Sequence, residues 1–246
     1  MTREKPKISN AVIKRLPRYR RYLIELQKKG IDKISSNEFS SLIGYTASQI
    51  RQDLNNFGGF GQQGYGYNVN ALLNEISAIL GLDQVYKMVI VGLGNMGSAL
   101  LNYYTGYYKT GFQVIGIFDV REELIGKVIR SVPVYDFENI VDFVEDNDVD
   151  IAVICTEGEH AQEVADRLSF AGIKGIWNFA PVDIEVPEYV SIENVHLSDS
   201  LYALAYHMNR DSKKFEEQKA QALRSKSQKD RTESEAAETA DSRTEE

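Results

Sequence analysis

One cysteine in 246 residues, Cys155, leaves this chain without the means for an internal disulfide or a multi-cysteine metal site. The three histidines, His160, His196 and His207, stand at no ligand spacing to it, so a structural zinc site is excluded. No run approaches the roughly 18 apolar residues that a membrane span requires. The first residues lack the apolar stretch of a signal peptide. These absences predict a cytoplasmic protein with no metal and no membrane partner.

What the chain does have is charge sorted by segment. Residues 1–70 carry 12 Lys and Arg against 5 Asp and Glu, a net of +7, whereas residues 71–211 carry 8 against 22, a net of −14. Residues 212–246 carry 8 against 9. A basic head on an acidic body is the footprint of a polyanion-binding module joined to something else. The last segment has only Phe215 and Leu223 as large apolar residues, too few to offset ordering entropy, and is expected to be a disordered tail.

In the basic head, Leu16, Tyr19, Leu23 and Leu26 recur at helical spacing, and Gly30 stops the helix. Ser35-Ser36-Asn37-Glu38 matches a capping box that opens a second helix ending at Gly44, and Thr46-Ala47-Ser48-Gln49 repeats the pattern for a third. Helix, turn and capped helix make a helix-turn-helix. On the third helix Ile50 and Leu54 face inward, leaving Ser48, Gln49, Arg51, Gln52 and Asn55 outward, side-chain types that bond base edges and phosphates in a major groove. Alternating glycines and aromatics from Phe57 to Tyr67 read as a β-wing, with Tyr65 near its tip. Lys14, Arg15, Arg18, Thr46, Ser48, Gln49, Arg51, Gln52 and Tyr65 are the expected contacts to double-stranded DNA.

After a connecting amphipathic helix over residues 71–82, short apolar runs at 89–91, 114–118, 151–154 and 176–177 alternate with helical segments, as in a parallel sheet covered on both faces. Gly92-Leu93-Gly94-Asn95-Met96-Gly97 follows the first run and opens a helix, the context that makes GxGxxG a dinucleotide fingerprint. Asp119 stands 22 residues past Gly97, where a carboxylate bonds the adenosine ribose and repels a 2′-phosphate. That favours NAD(H) over NADP(H), although Arg121, two residues on, could soften the exclusion. With Val120, the loops Thr156-Glu157 and Asn178-Phe179-Ala180-Pro181 at the sheet's C-terminal edge complete the expected cofactor contacts. Cys155 is expected to be a buried small side chain rather than a nucleophile. Only residues 195–211 remain before the tail. Their single helix, capped by Ser198 and striped with Leu201, Leu204, Ala205 and Met208, suits partner docking better than catalysis.

The chain resembles the Rex family of bacterial redox-sensing transcriptional repressors. The resemblance rests on Arg15–Leu23, Gln49–Leu54, Phe57–Gly61, Gly92–Gly97, Ala171–Pro181 and the final helix. It implies an N-terminal winged helix-turn-helix domain (1–82), a Rossmann-like doubly wound parallel sheet binding NAD(H) (83–195) and a dimerisation helix swapped between protomers (196–211), followed by the tail (212–246). It also implies a homodimer that holds an AT-rich palindromic operator when NAD⁺ dominates and releases it with NADH. The family's switching set of Arg, Tyr and Asp maps onto Arg21, Tyr103 and His196, with the swapped Leu197 beside them. His196 departs from the Asp, and Glu157-Gly158 departs from the Val-Pro common after that strand.

NAD⁺ and NADH differ by a hydride, so differential affinity has to arise near the nicotinamide. A two-state rotation of the paired sheets would move two recognition helices off half-sites spaced by whole turns of DNA. The alternatives are an NAD-dependent dehydrogenase with an accessory basic domain, and a structural NAD- or coenzyme A-binding module.

Overall fold

The computed structural model describes residues 8–57, 61–62, 66–105 and 111–210. The N-terminal unit runs α1 (Asn10–Lys28), β1 (Lys33–Ile34), α2 (Ser36–Ile43), α3 (Ala47–Asn55), β2 (Gly61–Gln62), β3 (Gly66–Asn68) and α4 (Val69–Ile79). The three strands form an antiparallel sheet in the order β1-β3-β2, which makes the unit a winged helix. The tip of the β2–β3 wing, with Tyr65, lies outside the described residues. Leu16, Tyr19, Leu23 and Leu26 are all buried, against Phe39, Ile43, Ile50, Leu54 and the α4 residues Leu72 and Ile76. The heptad-like spacing of α1 is therefore the core stripe that its sequence implies.

Local capping explains the boundaries of α2 and α3. Ser35 accepts from the Glu38 N–H while the Glu38 carboxylate accepts from the Ser35 N–H, a complete capping box. Thr46 likewise accepts from Gln49 N–H, but the Gln49 side chain turns forward to Asp53 instead of back to Thr46. The expected second box is thus half made, because a stronger acceptor lies one turn ahead. Gly44, at φ +72°, ends α2 in the left-handed region that makes the sharp turn between the two helices.

Among the described residues of this unit, Asp53 is the one buried charged group. Its side chain is 1% exposed and accepts from Arg15 Nε and Nη2 at 2.6 and 2.7 Å, from Tyr19 Oη at 2.6 Å and from Gln49 Nε2 at 2.8 Å. Burial opposes its ionisation, yet the hydrogen bonds from Arg15, Tyr19 and Gln49 outweigh burial and hold the carboxyl below its ordinary value. The same contacts push the Arg15 guanidinium up, chiefly through the Asp53 hydrogen bond.

The second unit contains β4 (Tyr86–Val91), α5 (Asn95–Tyr104), β5 (Phe112–Asp119), β6 (Val128–Ile129), β7 (Val132–Asp136), α6 (Ile140–Asn147), β8 (Ile151–Ile154), α7 (Gly158–Phe170), β9 (Gly175–Asn178), β10 (Ser191–Asn194) and α8 (Leu197–Arg210). Its seven-stranded sheet has the order β10-β9-β8-β4-β5-β7-β6, parallel except for the β6–β7 hairpin. Strand order reverses between β4 and β8, which is where a doubly wound sheet opens a crevice for ligand.

The two faces of the sheet are covered unequally. Val89, Val91, Phe118 and Ile154 pack under α6 and α7. Met88, Ile90, Ile117 and Val153 pack under α5. Two-sided cover, expected from the apolar runs, holds over β4 and β5. On the α5 side, beneath β8, β9 and β10, Met88, Tyr104, Phe112, Ile151, Trp177 and Ile192 line an open apolar groove of about 450 Å³. Helix α8 has no buried residue and exposes Leu197, Leu201, Tyr202, Leu204, Tyr206 and Met208. It begins two residues earlier than expected: the Asp199 N–H bonds the His196 carbonyl, so His196 rather than Ser198 stands at the start. No helix among the described residues is long and apolar enough to cross a membrane.

Asp53→Ala removes the carboxylate that forks the half-buried Arg15 and should destabilise the N-terminal unit by about 3 kcal/mol, read from urea unfolding at pH 7. The folded-state pKa of Asp53 is depressed, so its contribution is complete above the unfolded value near 3.9 and is lost as pH falls through the folded value. Wild type should therefore lose more stability than Asp53→Ala on acidification below about pH 4.

Candidate functional site

The turn from β4 into α5 is shaped by three glycines with three different constraints. Gly92 has φ +90°, and a Cβ there would sit 2.9 Å from the Cys155 carbonyl oxygen. A Cβ on Gly97 would overlap the Gly92 carbonyl, so helix and strand meet backbone to backbone. Gly94 has open space around it and serves as N-cap of α5 without any side chain to occupy the first-turn N–H groups. Free N–H groups at a helix N-terminus, with bare backbone in front, form an anion cradle of the kind a pyrophosphate uses. Asn95 and Met96 form the first turn beside it, and Leu93 is buried.

Asp119 ends β5 beside this cradle, but its carboxylate, expected at the ribose, is already bonded by the protein itself. Oδ2 accepts from Leu93 N–H at 2.8 Å and from Arg121 Nη2 at 2.9 Å. Oδ1 accepts from Arg121 N–H at 3.0 Å and from Arg121 Nε at 2.9 Å. Burial opposes ionisation here too, yet the Arg121 fork and the two backbone N–H groups hold the carboxyl down at about 2. Arg121 Nη2 also donates to the Leu93 carbonyl at 3.0 Å, tying the end of β5 to the glycine turn.

Next to Asp119 a cavity of about 290 Å³ opens, lined by Gly92, Val120, Phe137, Thr156, His160 and Val164 among others. The Thr156 hydroxyl is buried there without a hydrogen-bond partner, a donor and acceptor waiting for a ligand group. The sequence reading finds Val120 and Thr156 but misses Phe137, Glu138 and Glu163 and gives His160 no part. Their distance along the chain, and the absence of any motif around them, leave them no local signature. Cys155 is largely buried and burial pushes its thiol up to about 12, which makes it inert as a nucleophile.

The loop after β9 is built differently from expectation. Asn178 is fully buried, with Nδ2 donating to the Val182 carbonyl at 2.7 Å and Asn194 Oδ1 at 2.8 Å, and Oδ1 accepting from Ala180 N–H at 2.9 Å. Its amide therefore holds the loop and the end of β10 in shape, with both N–H donors spent inside the protein. Ala180 is buried as well; Phe179 is partly exposed and Pro181 exposed. Glu157 is exposed and stands at the N-cap of α7.

The exposed face of α3 carries Ser48, Arg51, Gln52 and Asn55, with Thr46 at its N-cap. Arg51 Nη1 reaches Ser36 Oγ at 3.3 Å and otherwise faces solvent. Two expected DNA contacts are committed elsewhere: Arg15 and Gln49 both serve Asp53, since a buried carboxylate needs donors from its own protein. Lys14 pairs with Glu193 of β10 at 3.1 Å, a solvent-exposed bridge between the two units. The Arg18 guanidinium lies 5.1 Å over the Tyr45 ring in the turn between α2 and α3.

The three switch candidates have different neighbours. The Arg21 guanidinium lies over the Tyr22 ring at 5.6 Å, and Tyr103, on α5 and half exposed, meets Tyr104 edge-on at 5.0 Å. His196 Nε2 is 2.9 Å from Asp183 Oδ1, and that hydrogen bond raises the imidazole pKa above its ordinary value. Among the described residues no ion pair joins Arg21 to His196. His196 thus has a carboxylate partner in Asp183, 13 residues upstream.

Residues 7–55 match the family model described as "Putative DNA-binding protein N-terminus", and residues 83–182 match a CoA-binding domain. The redox-sensing transcriptional repressor Rex of Thermoanaerobacter pseudethanolicus is 55% identical over 208 residues, covering 85% of this chain and 92% of its own. Rex of Clostridioides difficile is 56% identical over 201 residues, covering 82% and 95%. Among solved structures, the Rex-family repressor RSP in complex with β-NAD⁺ and operator DNA has 54% identity and a TM-score of 0.79, covering 86% of this chain and 98% of its own. RSP in complex with β-NADH has 51% identity and a TM-score of 0.77, covering 85% and 97%.

Gly94→Ala should leave stability within about 1 kcal/mol of wild type, because nothing crowds that position, and abolish dinucleotide binding measured by calorimetry. Gly97→Ala should instead cost at least about 2 kcal/mol, since its methyl meets a backbone carbonyl. For the imidazole, an NMR titration should place His196 above its ordinary pKa in wild type and return it toward that value in Asp183→Asn. The pair stabilises the fold below the unfolded pKa and loses that effect as pH rises through the folded one.

Proposed function

The chain belongs to the Rex family of redox-sensing transcriptional repressors, and from that premise we propose which of its residues carry each part of the function. It is a DNA-binding repressor that senses the NADH/NAD⁺ ratio, and it is not an enzyme. The single observation that carries the residue-level reading is the coexistence of two built sites in one chain. One is an uncapped helix N-terminus beside a cavity with an orphan hydroxyl; the other is a recognition helix capped by Thr46 with a polar, cationic outer face.

The residues present fit a dinucleotide. The α5 N-terminus and Gly94 receive the pyrophosphate, Asp119 lies at the ribose, and the cavity between Val120, Phe137 and His160 takes the adenine, with Thr156 supplying its hydroxyl. When bound, the nicotinamide supplies a charge and a ring shape that change on reduction, and Tyr103 and the Phe179–Pro181 loop are the groups placed to answer them. On DNA, Thr46, Ser48, Arg51 and Gln52 face the major groove, and Arg18 contacts backbone phosphate.

The division at residues 82, 195 and 211 gives a winged helix, a dinucleotide-binding sheet and a dimerisation helix. The chain acts as a homodimer in the cytoplasm, with α8 of each protomer lying in the apolar groove of the other. The exposed stripe Leu197, Leu201, Leu204 and Met208, and the uncovered groove at Trp177 and Ile192, support that exchange. Two-fold symmetry then presents two α3 helices to a palindromic, AT-rich operator.

Gel-shift titration on an AT-rich palindrome should give tight binding with NAD⁺ or no ligand and release with NADH. Arg51→Ala should cost about 1–3 kcal/mol in operator affinity with NADH affinity unchanged. Operator affinity within a factor of about two of wild type would remove Arg51 from the readout set.

A further inference from the structure

Asp119 presents a specificity problem that the usual reading of such carboxylates does not meet. A carboxylate has about four acceptor sites, and all four here are taken by protein donors: Leu93 N–H, Arg121 N–H, Arg121 Nε and Arg121 Nη2. A ribose hydroxyl arriving at Asp119 has no free lone pair to bond until the Arg121 side chain leaves. The two backbone donors are fixed by the chain; the two side-chain donors are not. The Asp119 side chain is 6% exposed, but that of Arg121 is 45% exposed, so the guanidinium can swing into solvent while the carboxylate stays put.

A lone carboxylate at the end of β5 repels a 2′-phosphate; a carboxylate forked by a guanidinium is locally neutral. Swung off Asp119, the same guanidinium stands on a short tether at the mouth of the cavity, next to exposed Val120, where a 2′-phosphate would project. We propose that Arg121 sets the dinucleotide selectivity of this site: it competes with the ribose of NAD(H) for Asp119 and offers a 2′-phosphorylated dinucleotide the cationic partner that Asp119 alone would deny. The proposal rests on the dinucleotide reading of the pocket given above. It predicts a repressor whose ligand is not restricted to the unphosphorylated cofactor.

ADP-ribose and 2′-phospho-ADP-ribose isolate the adenosine end, because neither carries a nicotinamide to engage the switching residues. Calorimetric titration of the full chain should give affinities for the two within roughly tenfold of each other. Arg121→Ala should bind ADP-ribose at least as tightly as wild type, having freed two acceptor sites on Asp119, and should bind 2′-phospho-ADP-ribose about tenfold or more weakly. Arg121→Lys, which keeps the charge but loses the fork, should retain most of the 2′-phosphate affinity. If Arg121→Ala weakens both ligands by the same factor, Arg121 only braces the glycine turn through Leu93 and the proposal fails. An unchanged ratio between the two ligands in a folded Arg121→Ala protein overturns it equally. Failure of folded wild type to bind ADP-ribose at all would overturn the dinucleotide site itself, and this proposal with it.

Discussion

A buried carboxylate on the recognition helix has to be met by donors from its own protein, and in this chain that requirement welds α3 to α1. Asp53 draws Arg15 and Tyr19 from α1 into bonds of 2.6 to 2.7 Å, and the helix bearing Ser48, Arg51 and Gln52 cannot tilt without breaking them. Helix α1 also packs along α4, the connection into the sheet, and reaches β10 through Lys14 and Glu193. The exposed Lys14–Glu193 pair contributes little energy. The Asp53 cluster is where rigidity resides. A recognition helix that follows α1 as a body can be moved by whatever moves α1 against the sheet, which is what a ligand-controlled repressor needs.

At the other end the constraint is close packing. Gly97 against the Gly92 carbonyl brings α5 onto β4, and that contact aims an uncapped helix N-terminus at the crevice where strand order reverses. Tyr103 lies on the same helix, two turns from the cradle. A change at the nicotinamide end therefore acts on an element whose other end is fixed at the pyrophosphate. The uneven cover of the sheet supplies the remaining part: the face that α5 leaves open is apolar, and α8 exposes an apolar stripe that none of the described residues buries.

Features fixed by short-range chemistry were legible in the sequence. The Ser35–Glu38 box, the α1 stripe from Leu16 to Leu26 and the glycine turn after β4 each depend on residues within a few positions, and each forms as the spacing implies. Features fixed across the chain were not. Arg15 and Asp53 are 38 residues apart, so Arg15 reads as one more cation for phosphate until the fold brings them together. Asn178 reads as a loop ligand because nothing local reveals Val182 and Asn194 around its amide. The β6–β7 hairpin and β10 escaped because a two-residue strand and Ser191-Ile192-Glu193-Asn194 have too little apolar pattern to register. Asp183 is the plainest case: nothing local to His196 reveals that its imidazole meets a carboxylate from 13 residues upstream.

Coupling between the two sites is the central claim, and thermodynamic reciprocity tests it without reference to any variant. NADH affinity would be measured by calorimetry for the free protein and for the protein saturated with operator. Operator should weaken NADH binding by the same factor by which NADH weakens operator binding, with the NAD⁺ factor distinctly smaller. An NADH affinity that is the same on and off the operator would contradict that coupling, because the dinucleotide site and the recognition helix would then share a chain without sharing a state.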